Sequence, residues 1–425
     1  MSDSPPFVSE AMSQSQLSDL RNLLGVVLES NLFQQGKLVD SDLDESLESV
    51  EAFVARCPYT TKDDLARDRL ENPPYGTNLS YPLSCYNRFH QTSGTKGEPM
   101  AWLDVAEDWD WMLGNWDQVL GAAGVSTGAS CYFAFSFGPF LGFWTAFEAA
   151  AKRGCHCIPG GGLGSEQRLR AILDHQVEYL FCTPTYALRL IEVAGQRGID
   201  LTAASLRKII VAGEPGGSLS GMRETISLGW GGAQVFDHYG MTEVGPVAYE
   251  TPGGEGGLRI LHESYLAEVV NPEGDEPVAD GEEGELILTT LGRVGCPVLR
   301  YRTGDLVRPL RGEDHDGNPT FDLVGGILGR VDDMVVVRGV NLYPSSVDAI
   351  VRRFSEVSEY QVSIDESSAM AELAMQVEAT VEVAAAVEQA LTEAFSLRIS
   401  VKAVENGTLP RFEMKARRWS RSNIE

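Results

Sequence analysis

A chain of 425 residues, 43% hydrophobic and 22% charged, has room for a large core and has the composition of neither a disordered protein nor a fibre. Its 34 Lys and Arg face 61 Asp and Glu, a net charge of −27, which argues against nucleic acid or an anionic membrane as partner. Local groups must overcome that field wherever a polyphosphate is held.

No stretch has the length and apolarity of a transmembrane helix, and the opening MSDSPPFVSE lacks the basic-then-apolar order of a signal peptide, so a cytoplasmic location is expected. The seven cysteines, single apart from Cys155 and Cys157, suit reduced thiols better than a disulfide framework. Leu17, Leu20, Leu23, Leu24, Val27 and Leu28 recur at helical spacing and predict an amphipathic N-terminal helix. From residue 130 apolar runs alternate with helical patterns: CYFAFSF then GFWTAFEAAAKRG, VEYLFCT then PTYALRLIEVAGQRG, LRKIIVAG then a Gly-rich turn and another helix. That alternation predicts crossover units and mainly parallel sheets. Between about 255 and 325 short alternating runs such as GELILTTL predict a β-rich subdomain. The remainder predicts a small α+β unit: strand MVVVRGV, a helix near SSVDAIVRRF, strand QVSID, helix VEVAAAVEQALTEAF and strand RISVKAV. The expected fold is therefore α/β, with residues 1–329 as an N-terminal domain and 330–425 as a C-terminal one.

The stretch TSGTKGEP (92–99) gathers hydroxyls and glycines around one lysine, but its spacing is not that of the P-loop. Gly94 and Gly97 permit a tight turn whose amides can converge on phosphate oxygens. Thr92, Ser93 and Thr95 add hydroxyl donors, and Lys96 adds positive charge. In FDHYGMTE (236–243), Tyr239 can stack on a purine, Thr242 can donate to a phosphate oxygen, and Glu243 offers hard oxygens to Mg²⁺. The small residues of AGEPGG (212–217) allow close approach of a flat base, with Glu214 and Pro215 shaping that wall. In YRTGD the two carboxylate oxygens of Asp305 match a pair of ribose hydroxyls. Each of these, taken alone, also fits an ordinary turn or a solvated charge.

Together with GRVDDMVVVRGVNLYP (329–344) and GTLPRFEMK (407–415), these six stretches stand in the order, and at about the separations, found in the adenylate-forming superfamily. Their wording, with PYTTKDDL at 58–65, resembles the phenylacetate–CoA ligase branch. The resemblance implies an AMP-forming ligase that turns ATP and a carboxylic acid into acyl-AMP and pyrophosphate, then passes the acyl group to coenzyme A. It implies that Thr92, Ser93, Gly94, Thr95, Lys96 and Gly97 hold the leaving pyrophosphate, although Lys96 departs from the commoner Thr-Thr-Gly wording. Gly213, Glu214, Pro215, Asp237, Tyr239, Asp305 and Arg330 would lie at the nucleotide, and Thr242 and Glu243 at the α-phosphate and Mg²⁺. Lys415 would enter for adenylation only. Asp332 would be the hinge on which a mobile C-terminal domain turns. The aromatic segment FAFSFGPFLGFW (133–144) borders the acyl substrate in relatives, so Phe137 and Phe140 are expected at the acid, itself expected to be aromatic, with Tyr186 as a further substrate residue.

Two other readings compete. An adenylating enzyme could serve a carrier protein, an amine or a cofactor hydroxyl, and a nucleotide-binding relative could have lost catalysis. The absence of a carrier domain favours free CoA; Glu243, Asp305 and Lys415 together favour catalysis. Expected partners are thus a small carboxylic acid, ATP and CoA, with a homodimer left open. Cys155-His156-Cys157 invites zinc, but a second ligand pair at finger spacing is missing and thiols packed on a strand are the better reading.

Overall fold

A computed structural model describes residues 10–92, 99–214, 216–251, 253, 256–333, 335–337, 340–365, 372–412 and 418–422. The chain divides into two compact units, Met1–Gly162 with Asp237–Gly326, and Leu163–Phe236 with Ile327–Glu425. Among the described residues no helix is long and apolar enough to cross a membrane.

The first unit opens with the helix Glu10–Ser30, whose Leu20, Leu23, Leu24 and Val27 are fully buried against Leu43, Leu47, Phe53, Leu266, Leu291 and Leu299. This is the apolar stripe read from the sequence. Strands Arg88–Gln91 and Ala101–Asp104 pair antiparallel, Arg88 opposite Asp104 and Gln91 opposite Ala101, so the 92–99 stretch begins and ends at one point. Strands Ser130–Phe133 and His156–Pro159 run parallel, joined through helix Leu141–Lys152, as the alternating pattern predicts. The first of them is shorter than CYFAFSF suggests. Past Ala134 the backbone leaves the strand, and Phe137 adopts φ +42° beside Gly138.

Among the strands from Gln234–Met241 as far as residue 323 the pairing is antiparallel. Gln234–Met241 pairs with Gly245–Glu250, which pairs with Leu258–Ile260, then Pro319–Leu323 and Pro309–Glu313. Strands Tyr265–Val270, Gly284–Thr290 and Tyr301–Val307 form a second antiparallel sheet, buried along nearly its whole length. The β-rich texture of 255–325 is these strands.

In the second unit, strands Tyr179–Cys182 and Lys208–Val211 run parallel beside helices Ser165–Asp174, Pro184–Arg197 and Ser220–Gly229. Pro184 starts its helix behind the Thr183 cap, and Gly198 ends it at φ +64°, each where its backbone limits are useful. The C-terminal part is a four-stranded sheet in the order Ser400–Val404, Glu372–Glu378, Tyr360–Asp365, Trp419–Ser422, packed against helices Pro344–Val351 and Val381–Phe395 around Val351, Val362, Val377, Val387 and Leu391. Two of these strands, Glu372–Glu378 and Trp419–Ser422, have no counterpart in the sequence reading. The segment MVVVRGV is two short strands, Val335–Val337 and Val340–Leu342, paired antiparallel. Arg411 fastens the chain's last part: it forks onto both carboxylate oxygens of Glu378, at 2.9 and 2.6 Å, and reaches Glu192 at 3.1 Å. Burial alone would raise Glu378, but Arg411 and the amides of Leu409 and Gly407 outweigh it and hold its carboxyl at about 2.

Candidate active site

The antiparallel pairing that starts at residue 234 sets the first group of side chains. Strand Gln234–Met241 turns at 242–244 into Gly245–Glu250, with a register shift between Tyr239 and Gly240. A Cβ at Gly240 would lie 2.7 Å from the Gly245 carbonyl, so only glycine allows this approach. Tyr239 donates its hydroxyl to Asp305 Oδ2 at 2.6 Å, across 66 residues of sequence. Asp305, 4% exposed, is oriented further by Thr303 Oγ1, which accepts the Asp305 N–H at 3.0 Å. Ring and carboxylate therefore form one hydrogen-bonded pair, an aromatic face next to a carboxylate. Asp237 is buried; its N–H donates to Glu250 Oε2 at 2.8 Å and its own carboxylate accepts the His238 N–H at 3.0 Å. His238 lies against Trp116 and bonds the Ala248 carbonyl through Nδ1 at 2.8 Å; burial lowers it to about 4, so it stays neutral at pH 7.

Thr242 and Glu243 occupy the turn, Glu243 at 8% exposed. The Thr242 carbonyl accepts from Arg293 Nη1 at 2.7 Å, and Arg293 Nε donates to Asp104 Oδ1 at 2.7 Å. Arg293 and Asp104 are both fully buried. Burial alone would raise the Asp104 carboxyl, but the guanidinium overrides it and holds it below the ordinary carboxylate range. His90 Nδ1 stands 3.7 Å from Asp104 Oδ2, with its ring stacked on Trp109. Burial pushes the neighbouring Asp108 up to about 6. Asp104 and Arg293 escaped the sequence reading, since a single Asp ending a strand and a single Arg in a loop carry no motif.

Thr92 closes the neck of the 92–99 stretch. Its N–H donates to the Met100 carbonyl, and its Oγ1 accepts the Met100 N–H, both at 3.0 Å. Ser93, Gly94, Thr95, Lys96 and Gly97 lie outside the described residues. One residue earlier, the Gln91 N–H donates to the Pro139 carbonyl at 2.7 Å, which ties this neck to the aromatic segment. There Phe135 stacks on Phe143 at 4.0 Å, and Phe137 meets Trp144 and Phe147 edge-on at 5.1 and 5.4 Å. Phe137 and Phe140 are half-buried.

In the second unit Glu214 Oε1 accepts the Thr185 N–H at 2.8 Å, a carboxylate at the start of helix Pro184–Arg197. Gly213 adopts φ +94°, which glycine alone takes without strain. Pro215 is outside the described residues. Tyr186 is 1% exposed, with its hydroxyl 3.0 Å from Ser165 Oγ and Arg168 over its ring, the setting of a core residue. Arg330 Nε donates to Asp332 Oδ1 at 2.9 Å; Asp332 is exposed, in the short helical turn Val331–Asp333. Lys415 lies outside the described residues.

Cys155 and Cys157 are half-buried, bonding the carbonyls of Ser126 and Phe147, while the intervening His156 is exposed. Strand alternation separates the histidine from both thiols. Among the described residues only Asp314, His315 and Asp316, in an exposed hairpin turn, gather three groups of metal-ligand type.

Comparison with known proteins bears on this arrangement. Residues 111–292 match the model of the AMP-binding enzyme family and residues 339–420 that of the AMP-binding enzyme C-terminal domain. The phenylacetate-coenzyme A ligase of Escherichia coli is 35% identical over 333 residues, covering 76% of this chain and 72% of that protein. That of Thermus thermophilus is 32% identical, covering 87% and 82%. Among solved structures, 2-hydroxyisobutyryl-CoA ligase in the postadenylation state with 2-HIB-AMP superposes with a TM-score of 0.90 at 27% identity, covering 98% of this chain and 90% of that one. The same ligase with 2-HIB-AMP and CoA in the thioesterification state gives 0.73, covering 97% and 90%.

Proposed function

The chain belongs to the AMP-binding enzymes, in the branch of the phenylacetate-coenzyme A ligases, and from its place among these AMP-forming carboxylate–CoA ligases we propose that it activates a small aromatic carboxylic acid in the cytoplasm. The reaction has two steps. A carboxylate oxygen attacks the α-phosphorus of ATP, the bond to the bridging oxygen breaks, and acyl-AMP and pyrophosphate result. The CoA sulfur then attacks the acyl carbon, AMP leaves, and the thiol proton is released.

The observation that carries the acid class is the bond from Gln91 N–H to the Pro139 carbonyl. It sets the wall of Phe135, Phe137, Phe140 and Trp144 beside the neck of the hydroxyl- and glycine-rich stretch, so an aryl group could pack there while its carboxylate meets the nucleotide. Phe137 and Phe140 carry this role; the buried, engaged Tyr186 suits the core of its own unit.

In this reading Asp305 accepts ribose hydroxyls while Tyr239, bonded to it, presents its ring to the adenine. Gly213, Glu214 and Pro215 shape the base wall, and Asp237 supports the strand that carries Tyr239. Arg330 lies near the nucleotide, and residues 92–97 hold the departing pyrophosphate. Thr242 donates to an α-phosphate oxygen. The carboxylate of Glu243 fits Mg²⁺, a hard cation that takes one or two carboxylates plus phosphate oxygens and would offset phosphate charge when bound. Lys415 adds positive charge as the α-phosphate is attacked, and Asp332 is the hinge of a C-terminal domain beginning at 330.

The test is pyrophosphate release over a panel of acids, with and without CoA. Arylacetic or benzoic acids should give the highest kcat/KM, with acyl-CoA and AMP as products only when CoA is present. A preference for short aliphatic or hydroxy acids would overturn the aromatic assignment. Complete turnover without CoA but with an amine or hydroxyl acceptor would overturn the CoA step.

A further inference from the structure

The Asp104–Arg293–Thr242 chain of contacts joins two parts of the proposed site that the sequence keeps far apart. Asp104 ends the strand that leaves the 92–99 stretch, and its partner strand, Arg88–Gln91, leads into it. Thr242 begins the turn that carries Glu243. Arg293 touches both, Nε at 2.7 Å from Asp104 and Nη1 at 2.7 Å from the Thr242 carbonyl, while its guanidinium lies over Trp102, 5.2 Å from the ring centroid. A buried ion pair pays heavy desolvation, and a well-packed apolar pair of similar volume is often at least as stable. Stability is therefore a weak reason for placing this pair here. Geometry is a better one, because a rigid planar fork holds two acceptors at a set spacing and angle, whereas a lysine ammonium is a rotatable point charge on a flexible stem.

We infer that Arg293 is a positioning residue for the adenylation step, holding the Thr242–Glu243 turn in register with the strands that flank the pyrophosphate-holding stretch. The inference rests on the site reading above. Loss of the fork would let the turn drift against the α-phosphate, and displacements near 1 Å cost roughly a hundredfold in rate. ATP affinity should change far less than the rate, since the ribose and adenine contacts proposed above, Asp305, Tyr239 and residues 213–215, lie outside the displaced turn, whose own phosphate contact is needed most as the α-phosphate is attacked.

Two variants test it: Arg293→Lys, which keeps charge without the fork, and the double change Asp104→Leu with Arg293→Met, which removes both members of the buried ion pair together. ATP binding by calorimetry, single-turnover acyl-AMP formation and the guanidinium unfolding midpoint are measured on each, beside Asp305→Asn. Acyl-AMP formation should fall roughly a hundredfold in both variants while the ATP Kd stays within about threefold, and Asp305→Asn should raise that Kd at least about tenfold. Acyl-AMP formation within about threefold of the native rate in either folded variant, or a loss matched by an equal loss of ATP affinity, would overturn the role of Arg293. An unchanged ATP Kd in Asp305→Asn would overturn the nucleotide-site reading itself.

Discussion

Lys415→Ala is expected to lower acyl-AMP formation by about 10³-fold, while transfer to CoA from supplied acyl-AMP stays close to the native rate. A cation near the bridging oxygen and the attacking carboxylate is worth most where water is excluded and negative charge is developing, which is the adenylation transition state. Thioester formation displaces AMP by a thiol and has no such need at that position. Leu409 and Arg411, a few positions before Lys415, are well anchored. The Leu409 N–H donates to Glu378 at 2.7 Å, and Arg411 binds Glu378 and Glu192 together. Both half-reactions are followed by rapid quench, one started from ATP and acid, the other from synthetic acyl-AMP and CoA. Equal losses in the two would remove Lys415 from the chemistry.

Asp332→Pro is expected to leave acyl-AMP formation largely intact and to lower transfer to CoA by about 10²-fold or more. If one site serves both reactions, the end of the C-terminal domain that carries Lys415 must leave before a thiol can enter. The backbone near Asp332 would then need two settings. Proline permits one φ, near −65°, and removes an amide donor. Asp332 is exposed, with its carboxylate held by Arg330 two residues before it, so the substitution disturbs little packing. Native transfer rates in the variant would contradict a rotating domain, and small-angle scattering with and without CoA would show whether the variant has lost a conformational response.

The elements that the sequence announced were those with a strong local period. The stripe Leu20 to Val27 is one helix face, and the alternation of VEYLFCT and LRKIIVAG with helical patterns is a parallel pair with its helices. Trp419–Ser422 is not legible locally because WSRS has no apolar run; it is a strand by virtue of pairing with Tyr360–Asp365, some 55 to 60 residues earlier. CYFAFSF predicts a longer strand than forms, because its aromatics look like a strand, whereas Gly138 and the positive φ of Phe137 turn the chain away. The motif residues Tyr239 and Asp305 were visible, but their 2.6 Å bond was not, since nothing local marks a contact across 66 residues. Asp104 and Arg293, 189 residues apart, were invisible for the same reason.

The central claim is that the acid is activated by attack on the α-phosphorus of ATP, and isotope transfer tests it most directly. With the acid carrying ¹⁸O in both carboxylate oxygens, one turnover in the presence of ATP and CoA is analysed by mass spectrometry. The account predicts AMP carrying one ¹⁸O and pyrophosphate carrying none, because the oxygen that bridges acyl and phosphorus departs with AMP when the thiol attacks. Label in inorganic phosphate with ADP as the nucleotide product, or unlabelled AMP, would contradict it.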